Sequence, residues 1–173
     1  MNLDLRTIKD PRVRVRQDFS GASFSRDADG QYRVRDTATL DLDVRKDGSK
    51  VRLVGRLDAA LELWCCRCLE PFPLVIGVDV DLLYLPASDN TGAAEVQIEE
   101  SDLRTAYYRD DQIDLGQLME EQFQLVLPMK PLCRADCLGL CAVCGGNRNT
   151  MACQCVARWD DPRFAMLKGL LNQ

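Results

Sequence analysis

Not one histidine occurs in the 173 residues of this chain. Histidine is the usual general base near neutral pH and a frequent metal ligand, so its absence removes Ser-His-Asp constellations and leaves thiolates as the natural ligands for zinc. A G-x-S-x-G nucleophile elbow and a phosphate-binding loop are missing too. The expectation is therefore a chain that is not an enzyme and has no small-molecule substrate. Apolar runs are short, and none approaches the ~20 residues that span a bilayer. The opening stretch MNLDLRTIKDPRVRVRQDF is charged throughout and lacks the apolar region of a secretory leader. A cytoplasmic location without membrane contact is expected, which disfavours disulfides. Internal repeats and low-complexity tracts are also absent.

Basic excess is lacking as well. The net charge is −5 and the pI about 4.8, which argues against a simple nucleic-acid binder. Charge is segregated along the chain, however. Residues 1–60 carry 13 Lys/Arg against 10 Asp/Glu, residues 61–128 carry 3 against 14, and residues 129–173 carry 6 against 3. RNA contact should use the basic ends, because neutralising phosphates needs Lys and Arg gathered in one place. In Arg12-Val13-Arg14-Val15-Arg16 the alternation sets three arginines on one face of an extended segment. A solvated edge strand, protected by its charges from pairing with other chains, is favoured there over an RNA contact.

What the chain has in plenty is cysteine, nine in all. Six of them, Cys133, Cys137, Cys141, Cys144, Cys153 and Cys155, crowd into a segment punctuated by Pro131, Gly139, Gly145 and Gly146. Such a run of turns buries too little apolar surface to hold its own shape, so a cross-link must substitute for a core. Upstream, Cys65 and Cys68 have the C-x2-C spacing that lets two thiolates grip one metal, while Cys66 between them must point elsewhere. Eight sulfurs remain, enough for two all-cysteine tetrahedra. Reach pairs Cys141 and Cys144 with Cys153 and Cys155 in one local site. Cys133 and Cys137 then join Cys65 and Cys68 in a second, which staples the middle of the chain to its C-terminal third. Cys133, Cys137, Cys141 and Cys144 together form an alternative grouping. Zinc is preferred over disulfides on compartment and over an iron–sulfur cluster on spacing. A thioredoxin-like use of Cys65 and Cys68 is disfavoured by Pro71 and Pro73, because that motif opens a helix.

The residues that give a resemblance run through the same region. Cys66-Arg67-Cys68-Leu69-Glu70-Pro71-Phe72, the Ile113-Asp114-Leu115 opening of a helix and Leu127-Pro128-Met129-Lys130-Pro131 come first. Cys137-Leu138-Gly139-Leu140-Cys141, Cys144-Gly145, Asn147, Asn149, Cys153-Gln154-Cys155 and Asp161-Pro162-Arg163 follow. In that order they resemble the YceD family of bacteria and plastids, from about Leu40 to Leu171. Ala142 stands where the family usually has proline, and Arg148 where it usually has leucine. The resemblance implies a protein needed for accumulation or processing of 23S ribosomal RNA, in a family to which no enzymatic activity is assigned.

Periodicity supplies the rest of the architecture. Leu40, Leu42 and Val44 alternate with polar residues, Asp47-Gly48 marks a hairpin turn, and Val51, Leu53, Leu57, Ala59, Leu61 and Leu63 alternate again. Phe72, Leu74, Ile76, Val78, Val80, Leu82 and Tyr84 continue the pattern. Three long strands thus form an antiparallel meander, with Cys65 and Cys68 at its second turn. Residues 86–97 read as loop. Of Tyr107 and Tyr108 at least one belongs to the core, since neighbours in a strand point oppositely. Asp114 is an N-cap for a helix over 115–127 that Pro128 ends, with Leu115, Leu118, Met119, Gln122, Phe123 and Val126 along its inward stripe. Glu120 and Glu121 lie about 100° apart on it and cannot converge on one bond. A last helix over Arg163–Leu171 is capped by Asp161, with Phe164, Leu167, Leu170 and Leu171 on its apolar face and Trp159 beside it.

The expected fold is α+β, a mostly antiparallel sheet with a packed helix over residues 1–128 and a cysteine-rich zinc module with a terminal helix over residues 129–173. Arg134, Arg148, Arg158, Arg163 and Lys168 make the module the expected surface for ribosomal RNA, a ribosomal protein or an assembly factor. The expected function is a non-catalytic zinc-binding factor in 23S rRNA maturation. A thiol redox protein and a zinc-storage or chaperone protein are the alternatives.

Overall fold

The structure is a computed structural model that describes residues 1–24, 32–89 and 102–156. The terminal helix expected over 163–171, with Asp161, Trp159, Arg158 and Lys168, lies outside the described residues, as does most of the loop expected over 86–97.

Alternation in the sequence becomes a five-stranded sheet. β1 (Asn2–Asp4) stands apart, and β2 (Arg12–Ser20), β3 (Tyr32–Asp47), β4 (Lys50–Trp64) and β5 (Pro71–Pro86) pair antiparallel in chain order. The hairpin expected at Asp47-Gly48 is present. Asp47 pairs with Lys50, and Gly48 takes φ +58°, a left-handed turn conformation that glycine adopts without a Cβ clash. β6 (Thr105–Tyr108) adds to the far side of β5 in parallel, a connection that no periodicity announced. β7 (Gln112–Asp114) pairs with β1 in a separate two-stranded ribbon.

α1 (Leu115–Val126) covers one face of the sheet. Asp114 caps it as expected, its carboxylate accepting from the backbone N–H of Gly116 at 2.8 Å and of Gln117 at 3.2 Å. Leu115, Leu118, Met119 and Phe123 are buried, whereas Val126 is exposed and Leu127, just past the helix, packs against the core. The Phe123 ring meets Phe24 and Tyr32 edge-on, with centroids 5.5 and 5.8 Å apart. Leu40, Leu42, Val44, Leu53, Leu57, Leu61 and Leu63 complete this core from the sheet side. Tyr108 is buried and its hydroxyl donates to the Ser49 carbonyl at 2.9 Å, while Tyr107 stays exposed.

The other face of the sheet carries charge. Arg12 forks onto Asp43 and Arg14 onto Asp41 across β2 and β3, and Arg52 forks onto Asp81 across β4 and β5. These hydrogen bonds hold the Asp41, Asp43 and Asp81 carboxyls below the usual carboxylate range. No helix among the described residues is long and apolar enough to cross a membrane.

Candidate functional site

β4 and β5 are joined by the tip Cys65–Glu70, where the chain makes a tight knuckle. The Cys65 N–H donates to the Glu70 carbonyl at 3.0 Å, and the Leu69 N–H donates back to the Cys65 carbonyl at 2.9 Å. Closing that ring puts Leu69 at φ +61°, a left-handed conformation that costs a residue with a Cβ about 1–2 kcal/mol. The same ring recurs 76 positions later. Cys141 N–H donates to the Gly146 carbonyl at 2.8 Å, Gly145 N–H donates to the Cys141 carbonyl at 2.9 Å, and Gly145 has φ +71°. Two C-x2-C pairs far apart in sequence thus adopt one shape, each aiming two sulfurs to the same side.

Each knuckle meets a second cysteine pair. Cys65, Cys68, Cys133 and Cys137 form one cluster and Cys141, Cys144, Cys153 and Cys155 another, with the sulfurs of each cluster within 4.8 Å of one another. The structure therefore gathers the eight cysteines in the grouping that reach favoured, and not as Cys133, Cys137, Cys141 and Cys144. Cys66 is exposed and belongs to neither cluster. Residues 131–140 are bound to the knuckle by backbone hydrogen bonds, from Cys66 N–H to the Pro131 carbonyl at 2.8 Å and from Leu140 N–H to the Arg67 carbonyl at 3.0 Å. The Arg67 guanidinium adds a bond to the Cys137 carbonyl at 3.0 Å. Gly139 passes so close that a Cβ there would lie 3.0 Å from the Arg67 carbonyl oxygen.

Sulfur spacing tests what these clusters can hold. Cys65 and Cys137 sulfurs are 3.7 Å apart, as are those of Cys68 and Cys133. A tetrahedron with its centre ~2.3 Å from each sulfur has edges of ~3.8 Å, whereas a disulfide needs ~2.05 Å. All nine cysteines are free thiols, and both four-sulfur clusters can hold a metal ion.

Donors around the sulfurs favour thiolates unevenly. Burial pushes the Cys65 thiol up, but backbone N–H groups of Cys133, Cys68 and Arg67 outweigh it and bring it to about 6. Burial likewise opposes the Cys137 thiolate, and the Asn149 amide, donating at 3.3 Å, with the Gly139 N–H lowers it overall. Backbone N–H groups of Cys144 and Val143 lower Cys141 to about 6. Burial and the neighbouring Cys137 and Cys68 sulfurs push Cys133 up to about 12, and the Cys144 sulfur together with burial does the same to Cys155. Each cluster thus contains thiols that keep their protons beside thiols that shed them, as expected where four sulfurs crowd together.

Asn149 is the residue that sequence reasoning left without a role. Its amide bridges Cys137 Sγ and the Asn147 side chain, and its carbonyl oxygen accepts from Arg134 at 2.7 Å and from Leu138 N–H at 2.9 Å. It braces one cluster against the loop that leads to the other. The Asn147-x-Asn149 spacing beside a cysteine run was the available signal. Of the arginines expected to form a partner surface, Arg134 is occupied by Asn149 and Asp136, Arg148 is exposed, and the others lie outside the described residues.

Comparison with known proteins bears on the same segment. Residues 53–171 match the family model for large ribosomal RNA subunit accumulation protein YceD, a span that contains all eight clustered cysteines. An uncharacterized protein of Mycobacterium tuberculosis is 35% identical over 145 residues, covering 78% of this chain and 63% of that protein. The chloroplastic large ribosomal RNA subunit accumulation protein YCED homolog 1 of Zea mays is 26% identical over 180 residues, covering 90% of this chain and 61% of its own length. The chain thus spans less than two thirds of these relatives. No solved structure matches it.

Proposed function

This chain belongs to the YceD family, and from that premise we propose that it is a non-catalytic factor in the synthesis, processing or stability of large-subunit (23S) ribosomal RNA, with two structural zinc ions. Cys65, Cys68, Cys133 and Cys137 are the ligands of one ion and Cys141, Cys144, Cys153 and Cys155 those of the other. Four sulfurs complete a tetrahedron and leave no position for water or substrate, so zinc supplies a cross-link there and no Lewis-acid chemistry. The observation that carries this reading is the coincidence, within one matched segment, of an rRNA-accumulation family and two closed, histidine-free sulfur clusters.

Residues 129–173 then act as a metal-held module on the sheet domain of residues 1–128. Cys65, Cys68 and Cys137 form a small buried cluster of their own with Leu132 and Cys133, and Phe72 packs against both it and the sheet's core. The burial of Cys65 and Cys68 disfavours the thiol redox alternative, which needs an accessible thiolate. The setting is cytoplasmic, and the partner is ribosomal RNA, a ribosomal protein or an assembly factor. Depleting the protein in its own cells should lower mature large-subunit rRNA relative to small-subunit rRNA and raise its precursors. An unchanged ratio overturns the reading.

A further inference from the structure

We propose that the charged face of the sheet, at the end remote from the cysteine clusters, binds the phosphate backbone of RNA through a row of arginines on β2, β3 and β4. The inference rests on the rRNA reading above and assigns the surface that reading leaves open. Its basis is the register. Arg12 pairs with Arg45, and Arg45 pairs with Arg52, so three guanidiniums stand side by side across three adjacent strands. Neighbouring strands are ~4.8 Å apart, and like charges directly opposite one another destabilise a sheet.

An edge-protecting role accounts for Arg12 on β2 but not for Arg52, whose strand is paired on both sides. Among the described residues, two carboxylates serve this end of the face. Asp43 takes Arg12 and, at 3.3 Å, Arg45, while Asp81 takes Arg52 and, at 3.4 Å, Arg104. Among the described residues, four cations over two anions leave a local positive excess on a chain whose net charge is −5.

The hydrogen bonding prepares these groups for a further anion. Arg12 and Arg52 both give Nε and Nη2 to their carboxylate. Among the described residues nothing engages their Nη1 atoms, and both side chains are more than half exposed. The carboxylate thereby fixes the plane of each guanidinium and leaves its far donors pointing outward. Such a fork matches a phosphate and has already lost most of its rotamer freedom. The row itself consists of guanidiniums with no aromatic among them, so its contact is with backbone phosphate rather than base sequence.

The test is fluorescence anisotropy of a labelled RNA hairpin with the full chain, its zinc content verified, across about 50–200 mM salt. The double variant Arg45→Gln/Arg52→Gln should lose about tenfold or more in affinity, and the slope of log K against log salt should become shallower by about 2, one unit for each phosphate contact removed. The same variant relieves like-charge repulsion while giving up the exposed Arg52–Asp81 fork, so its melting temperature should stay within a few degrees of the parent's and misfolding is separable from lost binding. Arg148→Gln, beside the clusters, should bind as the parent does. Equal binding by parent and the row variant, loss confined to the Arg148 variant, or a parent that binds a ribosomal protein and no RNA, each overturns the proposal. Rescue of depleted cells separates the two readings. If depletion lowers large-subunit rRNA and the row variant restores it fully, only the arginine row is refuted; if depletion has no effect, the rRNA reading falls.

Discussion

Cys65 and Cys66 are neighbours in sequence with opposite surroundings. The first is buried among sulfurs and backbone donors, and the second is exposed at the outside of the knuckle. Changing Cys66→Ser should leave two zinc ions per chain by elemental analysis, whereas Cys65→Ser or Cys137→Ser should leave one; retention of both ions in the latter pair would remove the first site. Protonation gives an independent handle at the same scale. Cys65 and Cys141, brought to about 6 from an ordinary 9.0, are acids whose folded values are depressed. In the metal-free fold their contribution is complete above pH 9.0 and is lost as pH falls through about 6. Protons compete with bound zinc for the sulfurs, so release followed with a chromogenic chelator should rise as pH falls, and release independent of pH would contradict the assignment.

Among the elements, the two knuckles form a natural experiment, because one closes with Leu69 and the other with Gly145 in the same left-handed conformation. Leu69 is 62% exposed and gains little from burial. Leu69→Gly should thus raise stability by about 0.5–1 kcal/mol, and Gly145→Ala should lower it by about 1 kcal/mol, both read from denaturant midpoints of zinc-loaded protein. Equal signs for the two changes would show that the rings are not equivalent. Asp114→Ala, which removes the cap of α1, should cost about 1 kcal/mol by the same measurement, and an unchanged midpoint would show the cap bonds to be dispensable. What the sequence made legible is instructive here. Period two in Leu40–Val44, Val51–Leu63 and Phe72–Tyr84 announced the long strands because each has one buried face. The C-x2-C spacing announced the knuckles because only a tight turn lets both sulfurs reach one ion. Leu69 was illegible, since nothing in a leucine signals positive φ; the hydrogen-bonded ring imposes it. β6 was illegible because Thr105-Ala106-Tyr107-Tyr108 is too short to show a period, and its parallel pairing depends on β5 being there already.

On the scale of the whole molecule, two stabilising devices divide the chain. The sheet and α1 share a continuous apolar core that includes no cysteine, while residues 131–156 contain no named strand or helix and hang on sulfur clusters and the hydrogen bonds around them. The first cluster joins both parts, since two of its sulfurs sit at the tip of β4 and β5. The arginine row lies toward the opposite end of β4, thirteen residues from Cys65, or about 40 Å at ~3.3 Å per residue. Metal removal should accordingly act on one end only. Cys144 and Cys155 are exposed, whereas Cys65, Cys68 and Cys137 are buried, so a chelator reaches the second cluster first. Under reducing conditions, zinc should leave in two phases, one ion fast and one slow. The segment after Pro131 should become protease-sensitive as they leave, while the far-ultraviolet signal of the sheet persists, because Phe123, Leu53 and their neighbours owe nothing to the metal. Loss of the sheet signal in step with the first ion would mean that the metal organises the entire chain and that the apolar core cannot stand without it.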